Sequence, residues 1–257
     1  MLTTKRRGPE TRPRFCLGFR LLSEAGAGFG LAVLALLFWL LPPSAMRRSE
    51  AAGPVDLNLV LGIDCSYSVD NVEFNLQVQG LARAFRTPEV LDAISRGPYG
   101  RISVTVVQWS DDVHQILSIP WTTISDIASA LSFSGQLAAM TRQTAIGATS
   151  ITAMMRFGVR LLARAPHRSL RQVIDISADG RNNIGGYPMP VRDFAASRRI
   201  TINGLAILNE IKTLDKYFEL YVAGGPGNFV IPANDYEAYG QAIKRKLIME
   251  ILGAVLS

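Results

Sequence analysis

Five side chains stand out for what their oxygens can do. Asp64, Ser66 and Ser68 occupy alternate positions in Asp64-Cys65-Ser66-Tyr67-Ser68, and Thr144 and Asp179 lie far downstream. Carboxylate and hydroxyl donors without His or Cys form a ligand set for a hard cation. Two carboxylates and three hydroxyls supply most of an octahedron, with waters completing it, so Mg²⁺ is the expected cofactor and Mn²⁺ the alternative. The spacing of Ser66 and Ser68 lets both hydroxyls face one point in an extended turn. Asp179 would balance the charge from a neighbouring strand end. Each piece taken alone has a plainer reading. Asp and Ser cap helices routinely, Asp179-Gly180 is a turn signal, and Thr144 would cap a helix beginning at Ile146. The metal reading rests on all five meeting at one edge of the fold.

The surrounding elements must deliver that meeting. Leu57–Ile63 is an apolar run broken only by Asn58 and Gly62, the pattern of a buried parallel strand. Asp70 and Glu73 have capping-box spacing, and Phe74, Val78, Leu81 and Phe85 then repeat on one helical face. Ile102–Trp109 reads as a strand, and Val113–Ile119 pairs with it through the turn at 110–112. Helices are expected over 124–133, 146–162, 190–199 and 214–221, and strands over 172–177, 201–208 and 229–231. The turn Gly224-Gly225-Pro226-Gly227 precedes the last strand and lacks the Lys and spacing of a phosphate loop. A closing helix over 235–256 carries Tyr239, Ile243, Leu247 and Ile251 in one stripe. Strand–helix alternation with one antiparallel hairpin predicts a doubly wound α/β sandwich: a mostly parallel sheet with one antiparallel edge strand and helices on both faces. Ligands bind such sheets beyond the carboxyl ends of the strands. Asp64 ends the first strand, and Asp179 follows the strand over 172–177.

On these residues, Asp64-x-Ser66-x-Ser68, then Thr144, then Asp179, the chain resembles the metal-ion-dependent adhesion site (MIDAS) of von Willebrand factor A domains. Leu57–Ser68, Thr144–Gly147, Val173–Asn183, Ile202–Leu208, Tyr221–Ala233 and the closing helix are similar to an uncharacterised family of exported bacterial A-like domain proteins. The resemblance spans nearly all of 55–257. It implies a metal ion held by those five residues, with one coordination position left for the Asp or Glu of a protein partner. One departure is Ala178, where many A domains place Thr, which removes a hydroxyl from the surroundings of the site.

Charge and composition narrow the function further. The 257 residues are 48% hydrophobic and 19% charged, with a net charge of +6. Residues 1–50 hold eight Lys/Arg against three Asp/Glu, whereas 51–257 are close to balanced, so the folded part has no basic footprint for nucleic acid. Six basic residues, Lys5 to Arg20, precede the uncharged run Ala25–Leu41, and Pro42, Pro43, Ser44 and Ala45 follow. Residues 1–45 therefore read as an export signal or an N-terminal membrane anchor, with 46–54 as a linker and 55–257 as the domain. Either version places the domain outside the cytoplasm, periplasmic or tethered to the inner membrane, with membrane contact only through that segment. Cys65 is alone in the exported part, so no disulfide braces it. His114 and His167 have no ligand-spaced partner.

The expected function is metal-dependent protein binding at the cell envelope, not enzymatic. Two alternatives stand beside it. A Mg²⁺-dependent phosphatase would use Asp64 as nucleophile, but its acid/base Asp belongs at position 66, which is Ser. A scaffold would hold a purely structural metal.

Overall fold

The computed structural model describes residues 53–144 and 147–253, so the expected leader at 1–45 lies outside the described residues. Among the described residues no helix is long and apolar enough to cross a membrane.

In chain order the elements are β1 (Val55–Asp64), α1 (Asn71–Ala84), α2 (Pro88–Ser95), β2 (Ile102–Trp109), β3 (Gln115–Ile124), α3 (Ile127–Ala138), α4 (Ile151–Leu162), β4 (Ser169–Ala178), α5 (Pro188–Ser197), β5 (Ile200–Ile207), α6 (Leu214–Tyr217), a π-helical turn (Phe218–Val222), β6 (Val230–Ala233) and α7 (Tyr236–Leu252). The six strands form one sheet in the order β3-β2-β1-β4-β5-β6. All pairings are parallel except β2 with β3, as the alternation predicts. Every residue of β1 is buried, because this strand is central and covered on both faces. Leu57, Leu59, Leu61 and Ile63 pack with α1, α2, α3 and α7 on one face. Val60 packs with Trp109, Met154 and Phe218 on the other. Gly62 leaves room for α4: a Cβ there would sit 2.9 Å from Met154 Cε.

The hairpin forms, but its turn spans 110–114, so β3 begins at Gln115 rather than Val113, and it runs on to Ile124, where a helix was expected to start. Pro120 does not end it, because an edge strand has a free side on which the missing N–H costs nothing. The following helix starts at Ile127, capped by Asp126, which accepts from Ser129 N at 2.7 Å. Helix α2, with Pro88 in its first turn, has no counterpart in the sequence expectation. The helix expected from Ile146 begins instead at Ile151, with Ser150 as its cap. Gly147 to Ser150 form an extended approach bonded to Ser110 and Asn183. The closing helix stops at Leu252, because Gly253 turns left-handed at φ +69°.

The stripe expected on α7 is buried as the spacing requires, and it docks a charged group with it. Lys246 is completely buried. Its Nζ lies 2.6 Å from Glu250 Oε1 and 2.7 Å from Asp175 Oδ1, the second being an ion pair without hydrogen-bond alignment. Asn203 Nδ2 donates to Glu250 Oε1 at 2.9 Å. The Arg171 guanidinium donates to the carbonyls of Glu250 and Ile251. Burial, then the charge of Glu250, pushes the Asp175 carboxyl up to about 7.

Candidate metal centre

The ladder sets the positions first. Asp64 pairs with Trp109 of β2, and Ile63 with Ser177 of β4. Asp179, one residue past β4, therefore lies beside Asp64 at the carboxyl edge of the sheet. The loop Cys65–Val69 carries Ser66 and Ser68 over that edge. Four of the five expected residues form one hydrogen-bonded cluster. Ser66 N donates to Asp64 Oδ1 at 2.7 Å, and the hydroxyls of Ser66 and Ser68 are 3.4 Å apart. Ser68 Oγ donates to Asp179 Oδ1 at 2.7 Å. Thr144 is buried next to the end of β2, its hydroxyl 3.1 Å from that of Ser110.

Helix α1 is capped by Asp70, whose Oδ1 accepts from Glu73 N while Glu73 Oε2 accepts from Asp70 N, each at 2.8 Å. Helix α4 is capped by Ser150. Asp64, Ser66, Ser68 and Thr144 are not the caps of the helices that follow them. Asp64, Ser66 and Thr144 are buried at the strand edge, and Ser68 is half-buried beside them, without serving as caps.

The electrostatics show what the cluster lacks. Asp64 is wholly buried, and its Oδ2 has no hydrogen-bond partner. Burial, then the charge of Asp179, pushes the Asp64 carboxyl up to about 8. A buried carboxylate oxygen without a donor is costly, and a cation is what would relieve it. The donor set fits a hard divalent ion: two carboxylates and three hydroxyls. Among the described residues no three His, Cys, Asp or Glu side chains gather in one place, so a site with more acidic or softer ligands is not formed there.

Three supports for this cluster escaped the sequence reading. Arg142 is half-buried and folds its guanidinium over the metal loop. Its Nη1 donates to Val69 O at 2.8 Å, and its Nη2 to Cys65 O at 2.7 Å and Ser66 O at 3.1 Å. Nothing local marks Arg142, since it acts across more than seventy residues of chain. The Tyr236 hydroxyl, from the first turn of α7, donates to Asp179 Oδ2 at 3.0 Å. Burial, then Asp179, raises its pKa, so it stays a donor. Gly147 accepts from Tyr67 N at 2.8 Å, and a Cβ there would meet Asp111 Oδ2 at 2.5 Å.

Cys65 and the two histidines have structural roles. Cys65 is buried, its thiol pushed up to about 12 by burial and the Asp64 charge. His114 lies 2.8 Å from Asp111 Oδ1, and His167 bridges Gly53 O and the Thr123 hydroxyl. Tyr67, between the two serines, is 83% exposed at the rim of the site.

Sheet order, edge hairpin and two helical layers define a von Willebrand factor A-like α/β fold. Solved structures agree. The proximal thread matrix protein 1 of the mussel byssus, in a form described as having a zinc-occupied MIDAS motif, matches with a TM-score of 0.57 at 17% identity, covering 77% of this chain and 48% of that one. A von Willebrand factor type A protein of Catenulispora acidiphila matches at 0.52 and 14%, covering 77% and 43%. The vWF domain of the type V pili tip protein Mfa5 of Porphyromonas gingivalis matches at 0.52 and 12%, covering 79% and 99%. The chain spans about half the length of the thread matrix protein. No curated protein matches. Residues 54–255 match the family model described as protein of unknown function (DUF1194), and the chain belongs to that family.

Proposed function

We propose that the domain is a divalent-metal-dependent protein-binding module of the cell envelope, and that Asp64, Ser66, Ser68, Thr144 and Asp179 hold Mg²⁺ or Mn²⁺. The single observation that carries this reading is the orphaned, buried Oδ2 of Asp64 within a cluster of hydroxyls and a second carboxylate. A bound divalent ion would supply an electrophilic position for a partner's Asp or Glu carboxylate. The chain's own residues do the rest. Arg142 fixes the loop carbonyls, and Ser68 and Tyr236 hold Asp179 in one orientation. The thread matrix and pilus tip proteins that share the fold support a binding rather than a catalytic role. The phosphatase alternative lacks its acid, since Ser66 stands where that reaction needs a carboxyl group. The expected location is the periplasm, free or tethered through residues 1–45.

The test is thermal melting of the full chain with Mg²⁺ or Mn²⁺ against a chelator. The metals should raise Tm, and Asp64→Ala should remove the rise. An unchanged wild-type Tm at millimolar metal would sink the proposal. Turnover of a phosphate ester that is lost in Asp64→Asn would favour the hydrolase instead.

A further inference from the structure

A groove of about 620 Å³ opens between the segment after Asp179 and the tyrosines that follow β5. Arg181, Ile184, Tyr187, Met189, Tyr217 and Tyr221 line it. Arg181 is two residues past Asp179, so the groove shares the carboxyl edge of the sheet with the candidate metal centre. Its volume lies within the range of preformed ligand pockets.

The groove is built rather than collapsed. Gly185 and Gly186 take left-handed φ of +83° and +91° to bend its wall. Asn182 accepts from Thr152 N at 2.9 Å and donates to the carbonyls of Ile184 at 3.0 Å and Gly186 at 2.8 Å. Asn183 exchanges two 2.9 Å hydrogen bonds with the backbone of Thr149. Thr149 lies two residues from Gly147, which holds Tyr67 of the metal loop. Groove wall and metal loop are thus pinned to the same stretch of backbone.

The lining specifies an occupant. The Arg181 guanidinium lies 5.5 Å from the centre of the Tyr217 ring and donates to Thr213 Oγ1 at 3.3 Å. Among the described residues no carboxylate pairs with it. Asp215 and Glu219, which flank Tyr217 in sequence, pair with Lys216. Tyr187 is 84% exposed, and Tyr221, Ile184 and Met189 are exposed beside it. A cation without a counter-ion, set among exposed aromatic and aliphatic faces, matches an acidic residue next to an apolar one. Aromatic and Arg side chains are also the usual anchors of protein interfaces.

We infer that this groove is a second recognition subsite for the same partner: it takes an acidic segment of a protein, pairing Arg181 with a carboxylate and Tyr187 and Tyr221 with a neighbouring apolar side chain. The inference rests on the proposed metal-dependent binding, which places the segment's other carboxylate at the metal loop.

The test uses the full chain and labelled synthetic peptides, read by fluorescence anisotropy. One peptide carries a single Asp in a Gly/Ser background. The others add Phe-Asp after spacers of increasing length. With Mg²⁺, the best two-acid peptide should bind about tenfold tighter than the single-acid peptide. Arg181→Ala combined with Tyr187→Ala should erase that gap and leave single-acid binding and Tm unchanged, since both side chains are exposed. Equal, Mg²⁺-dependent affinity for all peptides overturns the groove and spares the metal centre. Affinities that are the same with Mg²⁺ and with chelator, together with a gap that vanishes in the double variant, support the groove and overturn the metal reading. No binding by any peptide at millimolar concentration overturns the inference.

Discussion

Arg142 separates positioning from electrostatics at the candidate metal centre. Its guanidinium makes three charge-assisted contacts, at 2.7, 2.8 and 3.1 Å, to carbonyls of Cys65, Val69 and Ser66. Arg142→Lys keeps the positive charge but replaces a planar fork with a single point donor. An ammonium on a shorter arm can satisfy one of those carbonyls and leaves two unmet. At roughly 1–1.5 kcal/mol for each lost bond, the cost is about 2–3 kcal/mol. For a domain of this size that is a fall of about 4–12 °C in Tm. The larger expectation concerns metal. Loss of a residue that orients a metal-binding loop typically lowers affinity about 10–100-fold. Arg142→Met loses all three bonds and also removes a cation from beside Asp64. The two variants should therefore differ: Met should recover part of the affinity that Lys loses, because a neighbouring positive charge no longer opposes the divalent ion. Calorimetric titration with Mg²⁺, alongside melts in chelator, reads both quantities. Wild-type Mg²⁺ affinity in Arg142→Lys would refute the positioning argument, and equal losses in Lys and Met would refute the electrostatic one.

Three other outcomes follow from neighbouring contacts. Tyr236→Phe removes the donor to Asp179 Oδ2 without changing the packing of the ring. It should cost about 1 kcal/mol in the metal-free protein and weaken Mg²⁺ binding severalfold, measured by the same titration. Gly147→Ala should cost about 1–3 kcal/mol in thermal melts, because Asp111 is fixed by the N–H groups of Val113 and His114 and has little room to yield to the new Cβ. The Asp175 carboxyl, held up at about 7 by burial and Glu250, contributes stability that is complete below its unfolded pKa and lost as pH rises through about 7. Melts of wild type against Asp175→Asn should diverge over that window, the wild type declining more steeply; parallel profiles would mean that Asp175 does not titrate as its surroundings dictate.

Much of this architecture was legible because local chemistry and long-range position agree. The unbroken burial of β1, the Asp70/Glu73 capping box and the α7 stripe each follow from spacing within a few residues. The rule that ligands gather at the carboxyl ends of parallel strands then brought Asp64 and Asp179 together without any contact being known. The errors are equally local in origin. Ala, Met and Leu around Ile146–Leu162 imitate a long helix, but Gly147 and the cap Ser150 delay its start. The strand expected to end at Ile119 runs through Pro120 because it lies at the edge, and that place is a property of the sheet. Lys246 was invisible as a buried charge because its two partners, Asp175 and Glu250, come from β4 and its own helix. The one short-range hint, Glu250 four residues on, has the same spacing as an ordinary surface pair.

The ligand types at the site have a consequence for what it can hold. Asp64 and Asp179 carry two negative charges, and Arg142 adds one positive charge close enough to act on Asp64. A divalent ion bound there would leave the centre with a net charge of about +1 by formal count, where a site of three or four acids would be neutral or negative. With a metal bound, serine and threonine in place of further carboxylates would do more than fill coordination positions: they would keep the site attractive to an incoming anion. Arg181, which no carboxylate pairs with among the described residues, would extend that positive field over the groove. The bound ion would then strengthen the edge's hold on an anion, because it adds positive charge beside the Asp64–Asp179 pair. Metal occupancy, not shape alone, would set the affinity of this surface for an acidic partner.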